Sequence, residues 1–296
     1  MDAESPAVAS GRSKIGGTAA GGGPRGRLLV CATPIGNLGD VTLRVLDALR
    51  EADIVACEDT RHTKVLLDRH GIAARLISYH EHNEHPRAAE LVERIRTGAV
   101  VALVSDAGAP LISDPGFPLV RACLAAGLTV EALPGPSAVL SALVLSGLPA
   151  ERFRFVGFLP RKRAERERLL EHAEETLVAF ESPRRLAATL EQLAERDPDR
   201  PLAVCRELTK LHEEVRRGSA AELAEHYRES APRGEVVLVV GVVGSGSNDP
   251  APRADALAAL HALVQAGARP RPAATVVSKL TGVAANELYR QLTNDA

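Results

Sequence analysis

The chain has no tryptophan, a single methionine, five phenylalanines and three tyrosines in 296 residues. So few rings argue against a stacking platform for single-stranded nucleic acid, which places an aromatic under each base it holds. Its four cysteines, Cys31, Cys57, Cys123 and Cys205, form no CxxC pair. That spacing offers no zinc or redox motif, and their apolar neighbours suit buried thiols in a reducing cytoplasm. No apolar run is long enough to span a membrane. A charge excess is missing too: 36 basic against 38 acidic residues leave a net charge of −2. Binding to nucleic acid therefore needs a local basic patch. The glycine- and alanine-rich start lacks the apolar core of a signal peptide, and residues 1–26 read as a disordered tail. A hydrophobic content of 45% and a charged content of 25% are those of an ordinary globular protein.

What is present centres on Val104-Ser105-Asp106-Ala107-Gly108-Ala109-Pro110-Leu111-Ile112-Ser113-Asp114-Pro115-Gly116. The apolar run Val100–Val104 leads into it and a helical pattern from Phe117 to Ala126 leads out. Two glycines and two prolines constrain this loop. At the carboxyl end of a parallel strand, such a loop sits where open α/β sheets bind ligands, so Asp106 and the backbone beside it are expected to hold a small polar ligand.

The same strand–loop–helix unit recurs along the chain. Leu28–Ala32 reads as a strand, followed by Thr33-Pro34-Ile35-Gly36-Asn37-Leu38-Gly39-Asp40 and a helix from about Val41. GxGxxG is absent there, so a dinucleotide fingerprint fails. Asp53–Cys57 leads to Glu58-Asp59-Thr60-Arg61-His62-Thr63, where Asp59 or Thr60 suits a helix N-cap. Arg75–Tyr79 leads to His80-Glu81-His82-Asn83-Glu84-His85, which resembles a zinc site in composition. The position that HExxH reserves for histidine is Glu84, so no metal is expected, and the segment reads as a polar, substrate-facing loop. Leu128–Leu133 precedes Pro134-Gly135-Pro136-Ser137, whose serine would cap a helix and leave free N–H groups for an anion or carboxylate.

These units predict an N-terminal α/β domain over 27–147 with a mostly parallel sheet. A second α/β domain, over 148–243, is expected to hold a mixed sheet. It opens with Phe153–Phe158 and the basic run Arg161-Lys162-Arg163, which could touch phosphate. A linker is expected over 244–253, then a small helical module over 254–296. Its paired helices around Thr281-Gly282 are similar to a helix-turn-helix, with Arg269, Arg271, Lys279 and Arg290 nearby.

Taken in order, the blocks Thr33–Asp40, Glu58–Thr63, His80–Glu84, Ser105–Gly116, Pro134–Ala138, Gly157–Pro160, Phe180–Pro183, Arg206–Lys210 and Gly234-Glu235 resemble the small-subunit ribosomal RNA methyltransferase I family. That family is a bacterial branch of the tetrapyrrole methylase superfamily. The resemblance implies a two-domain fold with S-adenosylmethionine in the cleft between the domains, and a homodimer. It also implies methylation of a cytidine ribose 2′-hydroxyl in the decoding region of 16S rRNA within the small ribosomal subunit. Carried over residue by residue, Pro34, Gly36, Asp106, Gly108, Ala109, Ser137 and Ala138 contact the cofactor from the first domain, and Phe180 and Gly234 from the second. Ala109 stands where the family usually has threonine, and Arg184 where it has histidine. The hydroxyl needs help losing its proton, which makes Asp59 and Asp114 candidate bases, with Arg61 and Lys162 orienting phosphate or lowering the hydroxyl pKa. Spacing does not choose between the two carboxylates. The same scaffold methylating a tetrapyrrole or a protein side chain is the second reading. A helix-turn-helix regulator that senses a small ligand is the third.

Overall fold

A computed structural model describes residues 26–171, 174–229, 232–242, 250–281, 283 and 285–294. The tail expected over 1–26 lies outside these residues except for Gly26, and so does most of the linker expected over 244–253.

The first sheet has five parallel strands, β1 (Arg27–Cys31), β2 (Ile54–Cys57), β3 (Leu76–Ser78), β4 (Val100–Val104) and β5 (Thr129–Leu133), in the order β3-β2-β4-β1-β5. Its central strands are apolar at every position except Arg27, at the start of β1, because both faces are covered. Alternation decides which face each side chain serves. Leu29, Cys31, Val55, Cys57, Ala102 and Val104 meet helices α1 (Leu43–Glu51) and α2 (Thr60–Arg69). Leu28, Ile54, Ala56, Val101 and Leu103 meet α3 (Glu84–Arg96) and α4 (Phe117–Ala125) on the other face. The neighbours β1 and β4 therefore send their following helices to opposite faces. The crevice this opens at their carboxyl ends is where doubly wound sheets bind ligands.

The first helix begins at Leu43 rather than at Val41. Asn37 starts a separate 3-10 turn over Leu38–Asp40 by accepting from the Gly39 N–H, and the Thr42 hydroxyl then caps α1 at Val45. Two successive caps split what periodicity alone reads as one entry.

The second sheet is mixed, in the order β6-β7-β10-β8-β9. Its strands are β6 (Phe153–Phe158), β7 (Thr176–Glu181), β8 (Pro201–Arg206), β9 (Glu214–Ser219) and β10 (Val236–Val240). Only β6 and β7 pair in parallel. One face is covered by α6 (Arg163–Glu171), α7 (Pro183–Arg196) and α8 (Ala220–Glu229).

The other face is covered by α5 (Ala138–Ser146), the helix that follows the last strand of the first sheet. Its Val139, Ala142 and Leu143 pack on Val178, Ala203, Cys205, Val237 and Val239, joined by Ile35 from the loop after β1. At about 1.5–3 kcal/mol for each fully buried large aliphatic side chain, this apolar contact holds the two sheets together. Gly147 ends α5 in the left-handed conformation, φ 71°, a glycine C-cap.

Helices α9 (Pro250–Gln265), α10 (Pro270–Thr281) and α11 (Ala285–Asn294) gather around Ala256, Leu260, Ala274, Val277 and Leu288. Arg271 lies over the Tyr289 ring at 5.2 Å, Arg269 and Arg290 are exposed, and Gly282 and the Lys279 side chain lie outside the described residues. All four cysteines are buried and free. No helix among the described residues is long and apolar enough to cross a membrane.

Candidate active site

The loops leaving β1 and β4 are stitched together at the crevice. Thr33 and Gly108 exchange both backbone hydrogen bonds, at 2.8 and 3.0 Å, and the Thr33 hydroxyl donates to the Ser105 carbonyl at 3.0 Å. The Ser105 hydroxyl donates to the Gly108 carbonyl at 3.2 Å. Asp106 reaches sideways, accepting from the Asp59 N–H at 3.0 Å, which ties the central loop to the entry of α2.

Backbone strain is concentrated beside this bridge. Among the described residues, the non-glycine residues with positive φ are Leu111 (73°), Ser113 (67°), Glu207 (51°) and Thr209 (67°). They fall in the central loop and in the β8–β9 loop, and such outliers persist only where surrounding structure holds them. The β8–β9 loop is fixed by Lys210, whose Nζ lies 2.9 Å from Glu207 Oε1 and 3.0 Å from Glu235 Oε2. It presses on the first loop: a Cβ at Gly36 would lie 2.4 Å from Lys210 Cγ, so glycine is needed for the approach.

Two cavities flank the bridge. The larger, about 450 Å³, is lined by Gly108, Ala109 and Asp114 of the central loop, Ser137 and Ala138 at the start of α5, and Phe180 and Gly234 of the second unit. The smaller, about 350 Å³, takes Pro34, Gly36 and Asp106 together with His62 and Lys210. Ile35, Ala107 and Glu235 line both. The residues expected to hold the cofactor are thus brought together around one crevice but divided between two lobes. Asp59, Arg61 and Lys162 line neither.

The candidate bases sit in opposite electrostatic settings. Asp59 caps α2 by accepting from the Arg61 N–H at 2.8 Å and pairs with the Arg61 guanidinium at 2.7 Å. The hydrogen bond from the Arg61 side chain holds its carboxyl well below the usual carboxylate range. Asp114 is pushed up to about 7, by burial first and then by the carboxylates of Glu58 and Asp106. Glu58 is raised as well, by burial and by Asp106. Lys162 is exposed and paired with Glu165 at 3.1 Å. Ser137 uses its hydroxyl to cap Leu140, leaving the first backbone N–H groups of α5 for a ligand.

The histidine-rich segment lines neither cavity, but its Glu84 accepts from the Gly116 N–H of the central loop at 3.4 Å. Asn83 accepts from the His80 N–H and donates to the Ser78 carbonyl, closing a turn at the edge strand β3. No group of three or more metal-ligating side chains occurs among the described residues.

The sequence profile of the family Tetrapyrrole (Corrin/Porphyrin) Methylases matches residues 27–224. The chain belongs to the tetrapyrrole methylase family. A curated relative from Mesorhizobium japonicum, "Ribosomal RNA small subunit methyltransferase I", is 47% identical over 270 residues, 90% of each chain. The protein of the same name from Escherichia coli O157:H7 is 43% identical over 90% of this chain and 94% of its own. At the level of fold, the uroporphyrin-III C-methyl transferase from Thermus thermophilus complexed with S-adenyl homocysteine aligns with a TM-score of 0.52. It covers 73% of this chain and 97% of that one, at 22% identity.

As a member of the tetrapyrrole methylase family, the chain carries features of its crevice that residue type alone does not single out. Ile112, Ser113 and Phe158 line the larger cavity, and Lys210 and Glu235 bound the smaller one. The signal for Lys210 was the constrained Arg206–Lys210 block. No sequence signal marked Phe158, yet three of the five phenylalanines meet here: Phe155 and Phe158 both pack edge-on against Phe180.

Proposed function

We propose that this chain methylates the 2′-hydroxyl of a cytidine ribose in the decoding region of 16S rRNA within the small ribosomal subunit, with S-adenosylmethionine as donor. The observation that carries the reading is the carboxyl of Asp114, pushed up to about 7, in the cavity that the cofactor-binding candidates line. Its curated relatives are named for small-subunit ribosomal RNA, which favours that acceptor over a tetrapyrrole or a protein side chain.

The larger cavity fits the donor. Its volume of about 450 Å³ lies within the usual range for small-molecule sites. Ile35, Ala109, Val237 and Phe180 offer an apolar wall for an adenine or a thioether chain. The free N–H groups of α5 suit a carboxylate, and Glu235 suits the positive amine. Gly108, Ala109, Ser137, Ala138, Phe180 and Gly234 would hold it, with Pro34, Gly36 and Asp106 shaping the adjoining lobe. S-adenosylmethionine supplies an electrophilic methyl group on sulfonium sulfur.

The protein's own part is to orient the acceptor and take its proton. Positioning alone contributes about 7–11 kcal/mol in well-oriented reactions. A carboxylate with a pKa near 7 is half ionised at neutral pH and accepts a proton far better than one held low. That assigns the base to Asp114, and leaves Asp59 and Arg61 the task of fixing α2 beside it. Lys162 and the neighbouring Arg161 face solvent, where they can meet phosphate. The protein acts in the cytoplasm as a homodimer, for which exposed Leu140 and Val144 on α5 offer an apolar strip.

The test is transfer of labelled methyl to small subunits lacking the modification, with mass mapping of the product nucleotide. Ribose-methylated cytidine in the decoding region supports the reading. Tight cofactor binding without transfer, or label on a base, overturns it.

A further inference from the structure

Phe158 is a large ring left in the open. It is 62% exposed although it lines the larger cavity and packs edge-on against Phe180 at 5.4 Å. A bulge in β6 puts it there: four residues of β6, Phe155 to Phe158, stand against only three of β7, Val178 to Phe180. In a regular strand, residues three apart point to opposite faces. The bulge, turned at Gly157 with φ 66°, brings Phe155 and Phe158 onto the same face, and both meet Phe180. Re-aiming a side chain is what such bulges do beside active sites.

The other side of the cavity repeats the pattern. Ile112 is 47% exposed and lies between Leu111 and Ser113, both held in the left-handed region. A Cβ on Gly157 would lie 3.7 Å from Ser113 Oγ, so the bulge and the strained loop abut. Two local distortions, one on each sheet, thus present an aromatic ring and an aliphatic side chain to one cavity that also holds Asp114. Charge beside the slot is unspent as well. Lys162, Arg163 and Arg185 pair with Glu165, Glu195 and Glu181, whereas exposed Arg161 and Arg184 carry no ion pair among the described residues. Arg184 follows Pro183, which lines the cavity. An apolar slot lined by Pro183, with the exposed Arg184 next in the chain, matches a nucleotide, base inside and phosphates outside.

We infer that Phe158 and Ile112 form the slot that takes the acceptor nucleobase, with Phe158 stacking on it and so bringing the attached ribose to Asp114. This rests on the ribosomal RNA reading above and names the residue that seats the nucleotide.

The experiment measures methyl transfer to unmodified small subunits by wild type, Phe158→Ala, Phe158→Leu and Phe158→Trp, together with calorimetric affinity for S-adenosylmethionine. Phe158→Ala should raise the KM for subunits about tenfold to a hundredfold, the range for losing one base stack, and leave cofactor affinity unchanged. Trp should restore the KM and Leu should not, because a flat face is what matters. As the chain has no other tryptophan, Phe158→Trp also reports directly on the ring. Its emission should not respond to S-adenosylhomocysteine alone. A loss of cofactor affinity in Phe158→Ala, or quenching by S-adenosylhomocysteine alone, would place the adenine on this ring and overturn the inference. An unchanged KM would overturn it too. If wild type itself transfers no methyl to subunits, the ribosomal RNA reading has failed and the slot falls with it.

Discussion

Asp59 and Asp114 follow strands of one sheet, in loops at its carboxyl edge joined through Asp106, yet their carboxyls move in opposite directions. Asp59 faces a guanidinium and two helix N–H groups, all of which favour its charge. Asp114 is half-buried in a strained loop, with like charges as neighbours. The first stays ionised and holds a helix; the second is the base of the proposed reaction. Residue type is shared and only environment separates a cap from a base.

Breaking that contrast at its active end should have the largest effect. Asp114→Asn keeps the shape and removes the base, and kcat/KM for methyl transfer should fall about 10²–10⁴-fold, the usual share of general base catalysis. Cofactor affinity measured by calorimetry should be retained. Glu58→Gln sharpens the comparison. Removing a like charge stabilises ionised Asp114, so the rising limb of kcat/KM should move below pH 7, read from the midpoint of the profile.

Stability carries the same signature with its own sign. The native state holds a proton on Asp114 up to about pH 7, whereas an unfolded aspartate loses it near pH 4. The native state therefore binds more protons between those values, and this group's contribution falls as pH rises from about 4 to 7. Denaturant midpoints across that window should decline less steeply in Asp114→Asn than in wild type. The smallest effect is expected at Asp59. Asp59→Ala should lower the melting temperature slightly, by uncapping α2, and leave the pH midpoint of activity where it was. A shifted midpoint would mean that Asp59 shares in the proton transfer.

Much of this architecture was legible in the sequence because the first sheet is buried on both faces. Runs such as Ile54–Cys57 and Val100–Val104 are too short for a buried helix and are closed by turn residues, which marks them as strands. The crevice was legible for the same reason: the Gly- and Pro-rich loops announce where strands end. The seat of α5 was not. Ala138–Ser146 is apolar almost all round, so its pattern does not say which sheet it covers. The choice between Asp59 and Asp114 was not legible either, since it depends on the burial of Asp114 and then on Glu58 and Asp106, all brought about only by folding. Phe158 was hidden for a third reason. A strand period of two sends it away from Phe155, and only the bulge reunites them.

The account is tested most directly by the pH dependence of single-turnover methyl transfer to unmodified small subunits, measured for wild type and Asp114→Asn. It predicts a wild-type rate that rises with one ionisation near pH 7 and then levels, and a variant whose residual rate lacks that limb. A wild-type profile flat from pH 5 to 9, or an Asp114→Asn variant with the same midpoint, would contradict it.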